Sequence, residues 1–325
     1  MESGDVTGKL FEESDACLAP MAGFSDAPFR LLCGECGADF TFTEMVSADG
    51  LVRNDRGTKG MLRRMPGEGI VGAQLFGSDP DTVAEAASIV EGMDFHFIDL
   101  NFGCPVRKVV RKNGGAAVMR DLDLMGRICR AVTGRCGVPV TAKIRSGWSA
   151  KEENFIDAGK VLEDSGIAAV TLHPRYRTQL FSGEAEWGHI ALLRRALSVP
   201  VIANGDVRTP DDHRDIVSIT GCRNVMVGRG ALGRPWIFGE IKDRLAGREA
   251  VRKGMPVRID ILRRHVSMEL EWNGDRRGVL MMRKHYRWYL RGIRGAREYR
   301  QRLCGAETIT GVIEILNDLQ EESEE

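Results

Sequence analysis

The sequence predicts a (β/α)8 TIM barrel followed by a smaller all-helical domain, with the division at residues 1–247 and 248–325. Three observations predict it. Eight short β-rich runs alternate with helical patterns through roughly the first 240 residues, and alternating elements with short links build parallel sheets. The runs end on polar or glycine-bearing groups, which belong at the carboxyl face of such a barrel. Beyond about Ile237 the periodicity is helical only.

Strands are expected near Cys17–Met21, Phe40–Glu44, Ile70–Leu75, Phe97–Asn101, Val140–Arg145, Ala169–His173, Val201–Asn204 and Asn224–Gly228. Between them, Asp79–Glu91, Leu122–Thr133, Glu153–Ser165, Gly188–Leu197 and Asp211–Ser218 carry helical spacing, often behind a capping Asp or Thr. In the tail, Val279, Met282, Tyr286, Tyr289 and Ile293 form an apolar stripe, while Arg283, Arg287, Arg291 and Arg294 fall on another face.

Composition narrows the class. With 325 residues and 43% hydrophobic content, the chain has room for a barrel and an appendage. No apolar run approaches the roughly 18 residues of a membrane span, and Met1-Glu2-Ser3-Gly4-Asp5 lacks the basic and apolar segments of a secretory signal. A cytoplasmic protein without membrane partners is expected. Eight scattered cysteines do not suggest a disulfide scaffold. The pair Cys33-Gly34-Glu35-Cys36 reads as two small residues near a helix end, and no metal is inferred. Net charge is zero, yet Arg258–Arg302 holds thirteen Lys or Arg against five Asp or Glu. The basicity is regional, as a polyanion-binding segment requires.

The strand ends bring Met21, Glu44, Gln74, Asn101 with Cys104, Lys143 with Arg145, His173, Asn204-Gly205-Asp206 and Gly228-Arg229 to one face. Gly228–Gly233 matches GxGxxG, but it follows the last strand rather than opening the first βαβ unit of a dinucleotide fold. In a barrel, the turns after strands seven and eight bind phosphate through backbone N–H groups, and Arg229 would add paired donors. A phosphate there, with Lys143 and Gln74 across the mouth, suits flavin mononucleotide (FMN); Lys143 as a Schiff-base amine is the open alternative. His173 reads as a structural histidine or as a donor to flavin or phosphate. Cys104 reads as a general acid, a nucleophile or a small core residue. Arg107-Lys108 and Arg111-Lys112 place further positive charge beside it.

In order, Ala19-Pro20-Met21-Ala22-Gly23, Thr43-Glu44-Met45, Gln74, Gly103-Cys104-Pro105, Lys143-Ile144-Arg145-Ser146-Gly147-Trp148, Gly183-Glu184-Ala185-Glu186, Asn204-Gly205-Asp206, Gly228-Arg229 and Gly233-Arg234-Pro235-Trp236 lead to Arg283-Lys284-His285-Tyr286-Arg287-Trp288-Tyr289. This set resembles the tRNA-dihydrouridine synthase family, most closely its bacterial B-type branch, over nearly the whole barrel and into the tail. The resemblance implies an FMN enzyme that uses NADPH (or NADH) to reduce the C5–C6 double bond of selected tRNA uridines. It implies FMN contacts from Pro20, Met21, Ala22, Gln74, Lys143, His173, Asn204, Gly205, Asp206, Gly228 and Arg229. Asn101 and Arg145 would face the uracil, and Cys104 would donate the proton to C5. Arg107, Lys108, Arg283, Lys284, Arg287 and Arg291 would contact tRNA. Pro174 departs from the Gly usual after the strand-six histidine and removes one donor; Ala116 stands where Ser is common and Arg107 where Lys is. A flavin barrel acting on a small pyrimidine, and an RNA-binding barrel without catalysis, are the competing readings. Oligomeric state is left open, a monomer being compatible with the sequence.

Overall fold

The computed structural model describes residues 9–249 and 253–324; the Met1–Asp5 segment lies outside them. Nine parallel strands form one sheet: β1 (Ala16–Leu18), β2 (Phe40–Phe42), β3 (Val46–Ser47), β4 (Ile70–Phe76), β5 (Phe97–Asn101), β6 (Val140–Gly147), β7 (Ala169–Tyr176), β8 (Val201–Asn204) and β9 (Val225–Val227). Their order is β1-β9-β8-β7-β6-β5-β4-β2, with β3 as a two-residue extension on β4. Between β1 and β2, Asp39 N–H donates to Ala16 O at 2.9 Å. The Asp39 carboxylate accepts the N–H groups of Asp15 and Ala16 at 2.8 and 3.0 Å. An eight-stranded barrel is thus nearly closed, as the sequence predicts.

Alternation along each strand decides what fills it. Phe97 faces inward with Phe40 and Phe42, whereas Ile98 and Leu100 pack outward in the large core under the helices. Phe11, from the segment before β1, meets Phe40 and Phe97 edge-on at 5.8 and 5.3 Å. This aromatic layer needs Gly72, where an added Cβ would lie 2.1 Å from the Phe97 ring. Further along the same inward rows, Asp99, Thr141 and Gln74 are buried and polar. The interior therefore grades from aromatic to polar along its axis.

The expected helices occur at Pro80–Glu91, Leu122–Thr133, Phe155–Asp164, Trp187–Ala196 and Pro210–Thr220. Asp79 and Thr209 cap two of them ahead of a proline, a residue suited to the first turn. After the Ile237–Leu245 helix come four more, Met255–Asn273, Asp275–Tyr289, Ala296–Gly305 and Ile309–Glu324. Val279, Met282, Tyr286 and Tyr289 are buried in their common core, so the predicted stripe is their packing face. None of the described helices is long and apolar enough to cross a membrane.

The helical region rests on the barrel. Leu31, Leu32 and Met65 pack against Met268, Arg264 pairs with Glu35 at 2.7 Å, and Arg63 lies 4.0 Å over the Trp272 ring. At Gly233, φ is +66°, and an added Cβ would stand 2.2 Å from the Trp288 carbonyl carbon. Only glycine lets the loop after β9 approach the tail backbone this closely.

Candidate active site

A cavity of about 530 Å³ opens at the carboxyl ends of the strands. Its lining includes Pro20, Met21, Ala22, Gln74, Asn101, Cys104, Lys143, Arg145, His173, Asn204, Gly205, Asp206, Gly228 and Arg229. The predicted cofactor, substrate and catalytic residues thus share one mouth. Met45, Phe181 and Arg208 also line it, as do Arg287 and Trp288 from the tail.

Cys104 follows β5 in a turn built by Asn101. The Asn101 carboxamide oxygen accepts N–H from Gly103 at 3.1 Å and from Cys104 at 2.8 Å, which fixes the backbone that presents the thiol. Behind it, Gly115 has φ +57°, and a Cβ there would strike Cys104 O at 2.8 Å. Ala116 N–H donates to that carbonyl at 3.1 Å, so the residue at this departure from the family pattern contributes through its backbone. Burial raises the Cys104 pKa, opposed in part by a Val106 backbone contact and the Arg145 charge. The thiol is therefore protonated at neutral pH.

Below the turn lies a buried polar chain. Gln74 Nε2 donates to Asp99 Oδ2 at 2.7 Å, and Asn101 Nδ2 donates to Gln74 Oε1 at 2.7 Å. Thr141 Oγ1 donates to Asp99 Oδ1 at 2.6 Å. Burial pushes the Asp99 pKa up to about 6. Asn101 Nδ2 also reaches Met45 Sδ at 3.9 Å, whereas Gln74 Nε2 keeps one further hydrogen to offer. Lys143 Nζ donates to Asn204 Oδ1 at 2.8 Å, and desolvation, reinforced by Arg145, pushes its pKa down to about 7.

Opposite, Asp206 is ringed by arginines. Arg175 Nη2 meets its Oδ2 at 2.6 Å, while Arg229 and Arg208 approach Oδ1 at 3.2 and 3.8 Å. Three guanidiniums around one carboxylate leave an excess of positive charge at the turns after β8 and β9. Gly205 (φ +136°) and Asp206 (φ +55°) form the first of these turns. This donor set fits a phosphate monoester, and the amide and ammonium groups of Gln74 and Lys143 fit a flavin ring edge.

Arg175 belongs to none of the sequence motifs, although strand alternation places it on the face of His173. It is 1% exposed, lies 3.1 Å from His173 Nε2 through Nη1, and donates to Ser182 O and Gly183 O. His173 is consequently neutral: burial, with Lys143 and the arginines nearby, drives its pKa well below the ordinary value. Pro174 falls where the β6–β7 register shifts and beyond the residues that β7 pairs with β8, a position where no ladder donor is needed. Arg145, 2% exposed, donates to Gly103 O, Tyr176 O and Leu180 O. It holds the Cys104 turn and the loop after β7 together.

The residues expected to contact tRNA divide. Arg107, Lys108, Arg287 and Arg291 are exposed. Lys284 is not presented outward: its ammonium meets Asp26 Oδ2 at 2.8 Å across the barrel–tail junction. Arg283 is half-buried and donates through Nη2 to Ala306 O at 3.2 Å. Helical periodicity separates faces, but not which face a second element covers.

Comparison with known proteins adds the following. The family model described as dihydrouridine synthase (Dus) matches residues 17–324. The tRNA-dihydrouridine synthase B of Pseudomonas aeruginosa is 40% identical over 284 residues, covering 87% of this chain and 86% of the relative. That of Xanthomonas campestris is 39% identical over 305 residues, covering 93% and 91%. Among solved structures, histamine dehydrogenase from Rhizobium sp. 4-9 superposes with a TM-score of 0.56 at 14% identity, over 78% of this chain and 49% of the other. That likeness concerns the fold alone.

Proposed function

The chain belongs to the dihydrouridine synthase family, and we propose from that membership and the mouth geometry that it is a tRNA-dihydrouridine synthase, saturating the C5–C6 bond of uracil in tRNA. The observation that carries the chemical reading is a protonated thiol, Cys104, sharing one cavity with Lys143, Gln74 and the arginine-ringed Asp206.

FMN, reduced by NADPH or NADH, would supply the hydride that reaches C6. Arg208 and Arg229, with the backbone at Gly205, Asp206 and Gly228, would hold its phosphate, and Arg175, buried behind them, positions Asp206. Lys143, Gln74, His173, Asn204, Pro20, Met21 and Ala22 would hold the remainder. Lys143 also has the lowered pKa of a Schiff-base amine, but its partner Asn204 and its family point to flavin binding.

Cys104 completes the saturation. Its S–H bond breaks as a C–H bond forms at C5, and the thiolate left behind is favoured by the Arg145 charge until solvent returns a proton. Asn101 positions this thiol. Arg145, which engages three carbonyls through Nε and Nη1, directs its remaining Nη2 to the uracil. Phe181, 55% exposed at the mouth, and Trp288 offer ring faces for an extruded base.

Residues 248–325 act as the tRNA-binding domain, with Arg287 and Arg291 extending positive charge from the mouth and Arg107 and Lys108 contributing from the barrel. Arg283 and Lys284 serve the tail's own fold and docking. A cytoplasmic location is part of this proposal, since tRNA is the substrate. The test is direct: the purified protein is yellow, NADPH bleaches it, and unmodified tRNA gains dihydrouridine. A colourless protein that takes up no FMN overturns the proposal.

A further inference from the structure

We propose that Asp26, His265, Glu269 and His285 form a closed site for one divalent ion of the zinc class, tying the helical region to the barrel. The four residues come from three distant segments. Asp26 caps the helix Ala27–Glu35 on the barrel, His265 and Glu269 share one face of Met255–Asn273, and His285 comes from Asp275–Tyr289. One ligand atom of each lies within 4.8 Å of all the others.

His265, Glu269 and His285 are fully buried, and the Asp26 side chain is 11% exposed. Yet His265 Nε2, Glu269 Oε1 and both ring nitrogens of His285 have no hydrogen-bond partner. Leaving four such atoms unsatisfied in one place is unfavourable. A single cation would engage one nitrogen of each histidine and the free Glu269 oxygen, together with Asp26.

Three of the four ligands are already oriented by outer partners, as metal ligands usually are, while His285 has none. His265 Nδ1 lies 3.1 Å from Tyr289 Oη, and Glu269 Oε2 accepts from Asn273 Nδ2 at 2.7 Å. Asp26 Oδ2 accepts from Lys284 at 2.8 Å, and its Oδ1 accepts the Phe29 N–H at 3.3 Å. Two imidazoles and two carboxylates suit tetrahedral zinc, whose ligand atoms stand about 3.3 Å apart. The present separations, up to 4.8 Å overall and 3.9 Å between His265 Nε2 and Glu269 Oε1, would contract around the ion. Calcium and magnesium favour oxygen-rich sets and do not match. Four protein ligands leave no open position, so the ion is structural. Its effect is local to function: Phe24, in the turn after Ala22, meets the His285 ring edge-on at 5.4 Å. The ion would fix the tail against the loop that lines the cavity. This inference does not depend on the flavin reading.

The test is metal analysis of the full-length protein purified without chelator, followed by chelation and titration with zinc alone and cobalt alone. The expected results are about one ion per chain, tetrahedral cobalt absorption and a zinc-dependent rise in melting temperature of about 5 °C or more. X-ray absorption should show nitrogen and oxygen ligands, imidazole included. Glu269→Gln and His285→Gln, checked for folding by circular dichroism, should each weaken zinc binding at least about tenfold. Metal-free protein that does not respond to excess zinc overturns the proposal. So does sulfur coordination, or unchanged binding in both variants.

Discussion

The Asn101 side-chain oxygen accepts the Cys104 backbone N–H at 2.8 Å, so the residue that ends β5 aims the thiol that follows it. Its amide nitrogen is meanwhile committed to Gln74. Asn101→Ala should therefore lower the rate of dihydrouridine formation by about 10–100-fold through misplacement of Cys104. Flavin reduction by NADPH should change little. A matching loss in both half-reactions would show that Asn101 acts on the cofactor instead.

Cys104→Ala removes the proposed proton donor but leaves the arginine-ringed turn at Asp206 intact. It should stay yellow and bleach with NADPH while losing about 10²–10⁴-fold in turnover on tRNA, the usual range for a general acid. Turnover of the variant equal to that of the unaltered protein would remove Cys104 from the reaction.

Arg175 joins His173 to Asp206, and both lose a partner in Arg175→Met. We expect unfolding free energy to fall by about 1–3 kcal/mol and FMN to dissociate more readily. Denaturant titration and flavin fluorescence measure the two effects. Arg175 is legible only as part of a strand whose alternate residues face inward. Asp99, two positions before Asn101, follows from the same counting. By contrast, β3 spans two residues and gives no periodic signal. The eight barrel strands are readable because polar endings punctuate apolar runs. Docking of the tail is not: Lys284 and Asp26 are distant in sequence, and nothing in either segment announces the other. The apolar stripe identifies a buried face without saying what the basic face would meet.

Lys143 provides a pH test in the flavin-free protein. Its pKa is about 7 when folded and about 10.4 when unfolded. Between those values the unfolded chain binds more protons, so this group makes stability rise with pH. Below pH 7 its penalty is full; above about 10.4 it is gone. Lys143→Met should accordingly be more stable than the unaltered protein by a few kcal/mol at pH 6, with the difference shrinking toward pH 10. A pH-independent difference in melting curves would contradict the desolvated ammonium.

Arg287 and Arg291 are exposed on the tail, the former also at the cavity mouth. Reversing both charges should weaken tRNA binding and reduce the slope of log affinity against log salt by about 1 for each phosphate no longer neutralised. Filter binding across a salt series measures this. An unchanged slope would move the RNA to another face.

In the proposed reaction, reducing equivalents held in the barrel mouth pass to a uracil that Cys104 protonates. A single-turnover experiment tests it most directly: reduced protein, freed of NADPH and oxygen, is mixed with unmodified tRNA while flavin absorbance and dihydrouridine are followed together. Yellow colour should return with one dihydrouridine formed per flavin reoxidised. Return of colour without dihydrouridine, or a flavin that stays reduced in the presence of tRNA, would contradict it.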